Sequence, residues 1–257
     1  NLAMHKSDTA TQGMDFLQTL PRRVVTIYVP LGIFVFVLLF PFYWMAITAF
    51  KPDQELISRE GNPFIVIAPT LAHFKRLLFD TSYPDWLWNT ILVSVVSTVV
   101  SLAAAVLAAY AIERLRFQGA RQIGLSIFLA YLVPPSILFI PLAHLVFQLG
   151  LFDTRMALIL TYPTFLIPFC TWLLMGYFRT IPYELEEGAL IDGATRFEIL
   201  WKIILPLAVP GLISAGIFAF TLSWNEFIYA LTFVSSSELK TVSVAIVPAL
   251  LEADVSH

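Results

Sequence analysis

The residues of this chain that could do chemistry are few and gather in two places. One is the polar run between Pro182 and Pro206, which holds Glu184, Glu186, Glu187, Asp192 and Glu198. The other is the pair Asn225-Glu226, set in an otherwise apolar stretch. Neither place has the makings of an enzyme site, because no serine or cysteine stands in a recognisable nucleophile motif beside a base. His144 is the only histidine inside an apolar stretch, and further metal ligands do not converge on it by spacing, so no metal site is expected. Cys170 is the single cysteine, which excludes a disulfide framework and a cysteine metal centre. No glycine run leads into Gly-Lys-Ser/Thr, so no phosphate-binding loop is expected on this chain.

The elements that must carry these residues are membrane helices. Only 13% of the 257 residues are charged while 58% are hydrophobic, about half the charge of a water-soluble domain. A formal charge of -3 speaks against nucleic acid as a partner. Five apolar stretches are long enough to span: Val24–Ala49, Trp86–Ile112, Ile123–Phe147, Met156–Phe178 and Leu207–Phe233. Backbone groups in lipid must bond within their own segment, so an all-α polytopic bundle is expected, a single transmembrane domain over residues 1–257. A β-barrel would show short alternating strands instead.

Lysine and arginine placement favours a cytoplasmic N-terminus, with Arg22, Arg23, Arg114, Arg116, Arg121, Arg179, Arg196 and Lys202 inside. The loop Lys51–Asp85 is then outside, and its Leu71–Phe79 stretch is expected to form a short interfacial helix. The stretch His5–Gln18 has no apolar core, so no cleavable leader is expected there. Five spans leave the C-terminus outside, and a sixth span is expected to be missing after Glu252–His257. Pro134, Pro135, Pro141, Pro163 and Pro168 fall inside spans, where they line a broken transporter helix or simply kink one. Ser94, Ser97, Thr98 and Ser101 form a stripe expected to serve helix–helix packing.

The run Arg179–Pro206 reads as two short helices with defined ends. Pro182 suits a first helical position, and Glu184, Glu186 and Glu187 then sit on the positive end of the dipole. Gly193 suits the left-handed residue after a helix. Thr195 and Glu198 make a capping box, and Phe197, Leu200, Ile203 and Ile204 lead back to the membrane. Such a hairpin packs under its own bundle or presents a knob to a soluble partner. Glu226, at 1.5 Å per residue, lies about 30 Å from Pro206, near the outer boundary. Asn225 and Glu226 are read there either as an interfacial pair or as part of a translocation path or pore mouth.

These residues carry a resemblance. Glu187-Gly188-Ala189, three residues, Gly193, nine residues and Ile203-Ile204-Leu205-Pro206 resemble the EAA loop of ABC importer permeases, in the version of the carbohydrate (maltose-transporter) branch. Gly188 departs from the pattern, standing where an alanine usually does. Asn89-Thr90-Ile91, Ala109-Tyr110-Ala111, Arg116-Phe117-Gln118-Gly119 and Trp224-Asn225-Glu226-Phe227 also look typical, so the resemblance runs from Val24 onwards. It implies a permease subunit of the bacterial inner membrane that forms half the pore for a sugar or sugar derivative. ATPase coupling would then fall to Glu187, Gly188, Ala189, Asp192, Gly193, Ala194, Ile203, Leu205 and Pro206. The implied partners are a second, different permease chain, two copies of a cytoplasmic ATP-binding subunit, an extracytoplasmic solute-binding protein and lipid. ATP and magnesium would be bound by the partner ATPase, with no cofactor on this chain. The alternative is an ion-coupled secondary transporter, which would carry acidic residues at mid-bilayer; Glu113 and Glu226 both fall near span ends.

Overall fold

The computed structural model describes residues 20–57, 62–115 and 117–247, and all regular structure among them is helical. The leader reading over His5–Gln18 and the expected sixth span lie outside the described residues. The chain falls into two compact units, Asn1–Asp80 and Thr81–His257.

In the first unit, helix α1 (Val24–Phe50) is apolar enough to cross a bilayer, and its best window has no buried residue. Pro41 lies inside it without ending it. Two short helices follow, α2 (Asp53–Ile57) and α3 (Ala72–Phe79), the latter over the stretch expected to be helical. The loop between them is organised around Lys51, which is buried and donates from Nζ to the carbonyls of Asn62 and Pro63 at 3.1 and 2.8 Å.

In the second unit, α4 (Tyr83–Arg114) is the long central helix. It packs against α7 (Arg155–Phe178) and α10 (Val209–Trp224). Each of the three helices meets its neighbours along residues spaced by four. On α4 these are Ser97, Ser101, Ala105 and Ala109, all fully buried; on α10 they are Gly211, Ala215, Ala219 and Ser223. On α7 the larger Leu166, Cys170, Leu174 and Phe178 fill the space between. Small residues at this spacing let membrane helices approach closely, where packing rather than hydrophobicity drives association. A Cβ on Gly211 would stand 2.5 Å from the Tyr177 ring, so this contact admits only glycine.

Two stretches depart from their expected course. The third, expected as one span over Ile123–Phe147, is two helices, α5 (Ala120–Tyr131) and α6 (Pro135–Gln148), bent by 94°. The cause is Pro134-Pro135: Pro134 is extended, and neither proline supplies the N–H that a continuous helix needs. The fifth, expected over Leu207–Phe233, begins at Val209 and ends at Trp224. Before it, α9 (Arg196–Leu207) meets α10 at 78°, with Pro206 and Pro210 flanking the bend. Beyond it, Asn225 and Glu226 interrupt the helix, and a short α11 (Ile228–Phe233) follows. Between α7 and α9 lies α8 (Glu184–Ile191). Among the described residues, three helices are long and apolar enough to cross a membrane, or five if each bent pair is one span.

Candidate functional site

The helices α8 and α9 form a hairpin whose turn is fixed by local chemistry. Asp192 ends α8, and Gly193 follows with φ +87°, where a side chain would be strained. The N–H of Gly193 donates to the carbonyl of Leu190 at 3.1 Å, and that of Ala194 to Ala189 at 2.9 Å. These two bonds are a Schellman motif, which satisfies the last carbonyls of α8. Thr195 then starts α9. Its hydroxyl accepts from the Glu198 N–H at 3.3 Å while the Glu198 carboxylate accepts from the Thr195 N–H at 3.0 Å. The reciprocal box is present, and Lys202 adds a 2.9 Å ion pair to the same carboxylate. The Thr195 N–H, then Lys202, then the Thr195 hydroxyl favour the ionised form and hold Glu198 down at about 2.

The residues expected to couple to an ATPase divide by exposure. Glu187, Gly188, Asp192, Gly193 and Pro206 are exposed, whereas Ala189, Ala194, Ile203 and Leu205 are half-buried and pack against the apolar core. Around the turn, Leu185, Leu190 and Ile191 are exposed, Ile191 by 86%. The hairpin thus offers an apolar tip beside an exposed acid.

What holds the hairpin was not read from the sequence. Glu186, one position before Glu187, is turned inward and buried, with Oε1 at 3.1 Å from Nε of Arg114 and Oε2 at 3.7 Å from Nη1 of Arg196. Arg114 is the last helical residue of α4 and is itself buried. Its Nη2 donates to the carbonyls of Phe178 at 2.7 Å and Ile181 at 2.6 Å, and its guanidinium lies 4.2 Å from the Tyr183 ring centre. Around it, Arg179 pairs with both Glu113 oxygens at 2.9 and 3.0 Å, and the Tyr183 hydroxyl donates to the Glu113 carbonyl at 2.7 Å. The available signal was an acid sharing a helix face with Ala189 and Leu190, at i+3 and i+4, where an apolar residue would be usual.

At the other end of α4, Asn89 is fully buried. Its Nδ2 donates to the carbonyls of Glu238 and Lys240 at 2.7 and 3.0 Å, and its Oδ1 accepts from Arg155 Nε at 2.7 Å. Asp153, at φ 59°, accepts from the N–H groups of Ser235 and Ser236 at 2.9 and 2.8 Å and from the Ser236 hydroxyl. That hydroxyl first, then the two N–H groups, hold its carboxyl below the usual carboxylate range. Asn225 and Glu226 lie in the same unit but do different work. The Asn225 amide donates to the Thr221 carbonyl at 2.8 Å and is exposed. The Glu226 carboxylate accepts from the N–H groups of Tyr229 and Ala230 at 2.9 and 3.1 Å, capping α11. His144 bonds Gln148 at 2.8 Å one turn away. Ser94, Ser97, Thr98 and Ser101 are buried in the packing of α4.

Comparison with known proteins agrees with this architecture. Residues 101–256 match the family model described as "Binding-protein-dependent transport system inner membrane component". An inner membrane ABC transporter permease protein of Escherichia coli K12, YcjP, is 38% identical over 89% of this chain and 81% of its own length. The trehalose/maltose transport system permease protein MalG of Thermococcus litoralis is 34% identical over 81% of this chain and 74% of its own length. Among solved structures, a bacterial ABC transporter involved in the import of the acidic polysaccharide alginate matches 93% of this chain and 82% of its own, with a TM-score of 0.77 at 25% identity. With a helical bundle, a capped hairpin and relatives that share most of its length, the chain belongs to the inner-membrane components of binding-protein-dependent transport systems and is a multi-pass transmembrane permease of an ABC importer.

Proposed function

We propose that this chain forms half of the pore for a sugar or sugar derivative and is driven by a separate ATPase that docks on the α8–α9 hairpin. The observation that carries the docking role is the hairpin's build: a rigid turn with an exposed apolar tip on a buried ionic root. A loop that served only to join two spans needs neither. The sugar class is supported by relatives named for trehalose/maltose and for sulfoquinovosyl glycerol transport. In this reading the hairpin and the N-terminus are cytoplasmic, because most lysines and arginines of the short connections fall on that side. Glu187 makes a polar contact across the joint, and Gly193 shapes the turn that enters it. ATP and magnesium are held by two copies of the ATP-binding partner. A second, different permease chain completes the pore, and an extracytoplasmic binding protein delivers the solute. Asn225, whose side chain is exposed, is the better candidate for the translocation path, since Glu226 is engaged as a helix cap.

The test is purification in mild detergent after expression with the neighbouring genes. A soluble ATPase should co-elute with the unsubstituted chain and be lost when Glu187→Ala and Gly193→Val are combined. Gly193→Val alone forces a β-branched residue into a left-handed conformation at about 1–2 kcal/mol. It should leave hydrolysis running without transport. A chain that never retains an ATPase, or a Gly193→Val complex that transports normally, sinks the reading.

A further inference from the structure

We infer that the buried pair of Arg114 and Glu186 is the joint through which movement of the hairpin reaches the spans, which makes both of them positioning residues for coupled transport. The inference rests on the importer reading above and adds to it the element that carries the motion.

Arg114 touches four separate pieces of the chain. It ends α4, and it binds the carbonyl of Phe178 at the end of α7 and that of Ile181 in the turn beyond. It also pairs with Glu186 in α8 and lies over Tyr183 just before that helix. Any displacement of α8 therefore pulls on one guanidinium, and through it on the two helices that form the main packing contact of this unit. The geometry suits transmission, since Nη2 of the planar guanidinium holds both carbonyls in fixed directions while Nε stands 3.1 Å from Glu186 as an ion pair, unlike the single mobile charge of a lysine.

The environment points the same way. The side chains of Arg114 and Glu186 are 0% and 3% exposed, so their attraction is little screened by water or salt. The neighbouring ionic ties each have an exposed member: Arg179 is 67% exposed in its pair with Glu113, Arg196 51% in its longer contact with the same Glu186, and Lys202 73% in its pair with Glu198. Exposed pairs of that kind bind weakly. A buried ion pair is also a poor choice for stability alone, because well-packed apolar residues of similar volume often hold a fold as well. Its adjacency to the surface residue matters too: Glu186 faces the root while Glu187, next in sequence, faces outward. One short helix thus carries the docking face and the anchor about 100° apart around its axis.

The experiment uses the complete complex, with its ATPase and binding protein, reconstituted in proteoliposomes. Three variants are compared: Glu186→Gln, which removes the charge; Glu186→Asp, which keeps it; and Arg114→Lys, which keeps the charge but loses the fork that reaches the carbonyls. Each is scored by the amount of ATPase that co-elutes and by solute transported per ATP hydrolysed. In Glu186→Gln the ATPase should co-elute as in the unsubstituted complex while transport per ATP falls about tenfold, within the usual range of coupling energies. Glu186→Asp should recover much of that ratio. A role limited to holding the fold would lower the yield of complex and leave the ratio of the surviving molecules unchanged. A ratio within about twofold of the unsubstituted complex, in Glu186→Gln that assembles, overturns the inference. If Glu186→Gln does not assemble, Arg114→Lys decides by the same ratio. Failure of the importer reading looks different, since the unsubstituted chain would then retain no ATPase at all.

Discussion

The two ends of α4 solve a similar problem with different chemistry. Asn89 and Arg114 stand about 38 Å apart along the same helix, and each is a buried side chain that donates to two backbone carbonyls of a distant segment. At the Asn89 end the clasp is a neutral amide, with Arg155 as its partner, and the segment it holds is the turn through Glu238 and Lys240. At the Arg114 end the clasp is a full charge paired with a buried carboxylate, and the segment it holds ends in an exposed apolar tip. A neutral amide fixes a loop at modest electrostatic expense. A buried ion pair is far less forgiving, because removing either partner leaves the other charged and desolvated. The comparison assigns stiffness to the hairpin end and plain closure to the other.

Three measurements break or sharpen that contrast. The largest effect is expected from Arg114→Ala, which leaves Glu186 buried without its nearest cation and two carbonyls without their donor, at about 3–5 kcal/mol. Thermal unfolding of the purified complex should show it as a marked fall in midpoint; a fall no larger than that of Asn89→Ala would erase the distinction between the ends. Asn89→Ala should come second, at about 1–3 kcal/mol for buried partners left unsatisfied. Hydrogen exchange should locate its effect in residues 235–242, with the hairpin amides unchanged.

The smallest effect concerns Asp153, which is half-buried and tied to Ser235 and Ser236. Its carboxyl titrates below the usual carboxylate range, so its contribution is complete above the unfolded value of 3.8 and is lost as pH falls through the lower folded value. A spin label at Ser237 should therefore be more mobile in Asp153→Asn than in the unsubstituted chain at neutral pH. The difference should fade as the pH falls below 3.8 and through the lower folded value. A difference that persists undiminished in acid would show that the ionised carboxylate is not what holds the loop.

Much of the hairpin was legible because its signals are local. Gly193 after a short acidic helix and the Thr195–Glu198 box depend on residues within a few positions of one another, and each appears as expected. The serine stripe on α4 was legible for the same reason, since helical spacing alone puts Ser97 and Ser101 on one face. The breaks were less so. Pro134-Pro135 was noted, but whether a proline bends a membrane helix depends on what satisfies the freed carbonyls; Pro41, Pro141 and Pro168 each stay inside a continuous helix. Asn225-Glu226 was read as an interfacial or pore-lining pair, and its use in ending one helix and capping the next was missed.

The sequence by itself determined the class of the molecule and the outline of its working part. A charge content too low to cover a water-facing surface requires lipid, continuous apolar runs require helices, and the cap residues require a hairpin. Only the tertiary structure decided which of the three first-turn acids on α8 is an anchor. Glu184, Glu186 and Glu187 are equivalent in sequence as first-turn acids. Glu186 alone is buried, because the rotation of α8 against the end of α4 brings it to Arg114, a residue far away in the chain. Such a pairing is set by where two helices end in space, which no local rule of spacing or capping encodes.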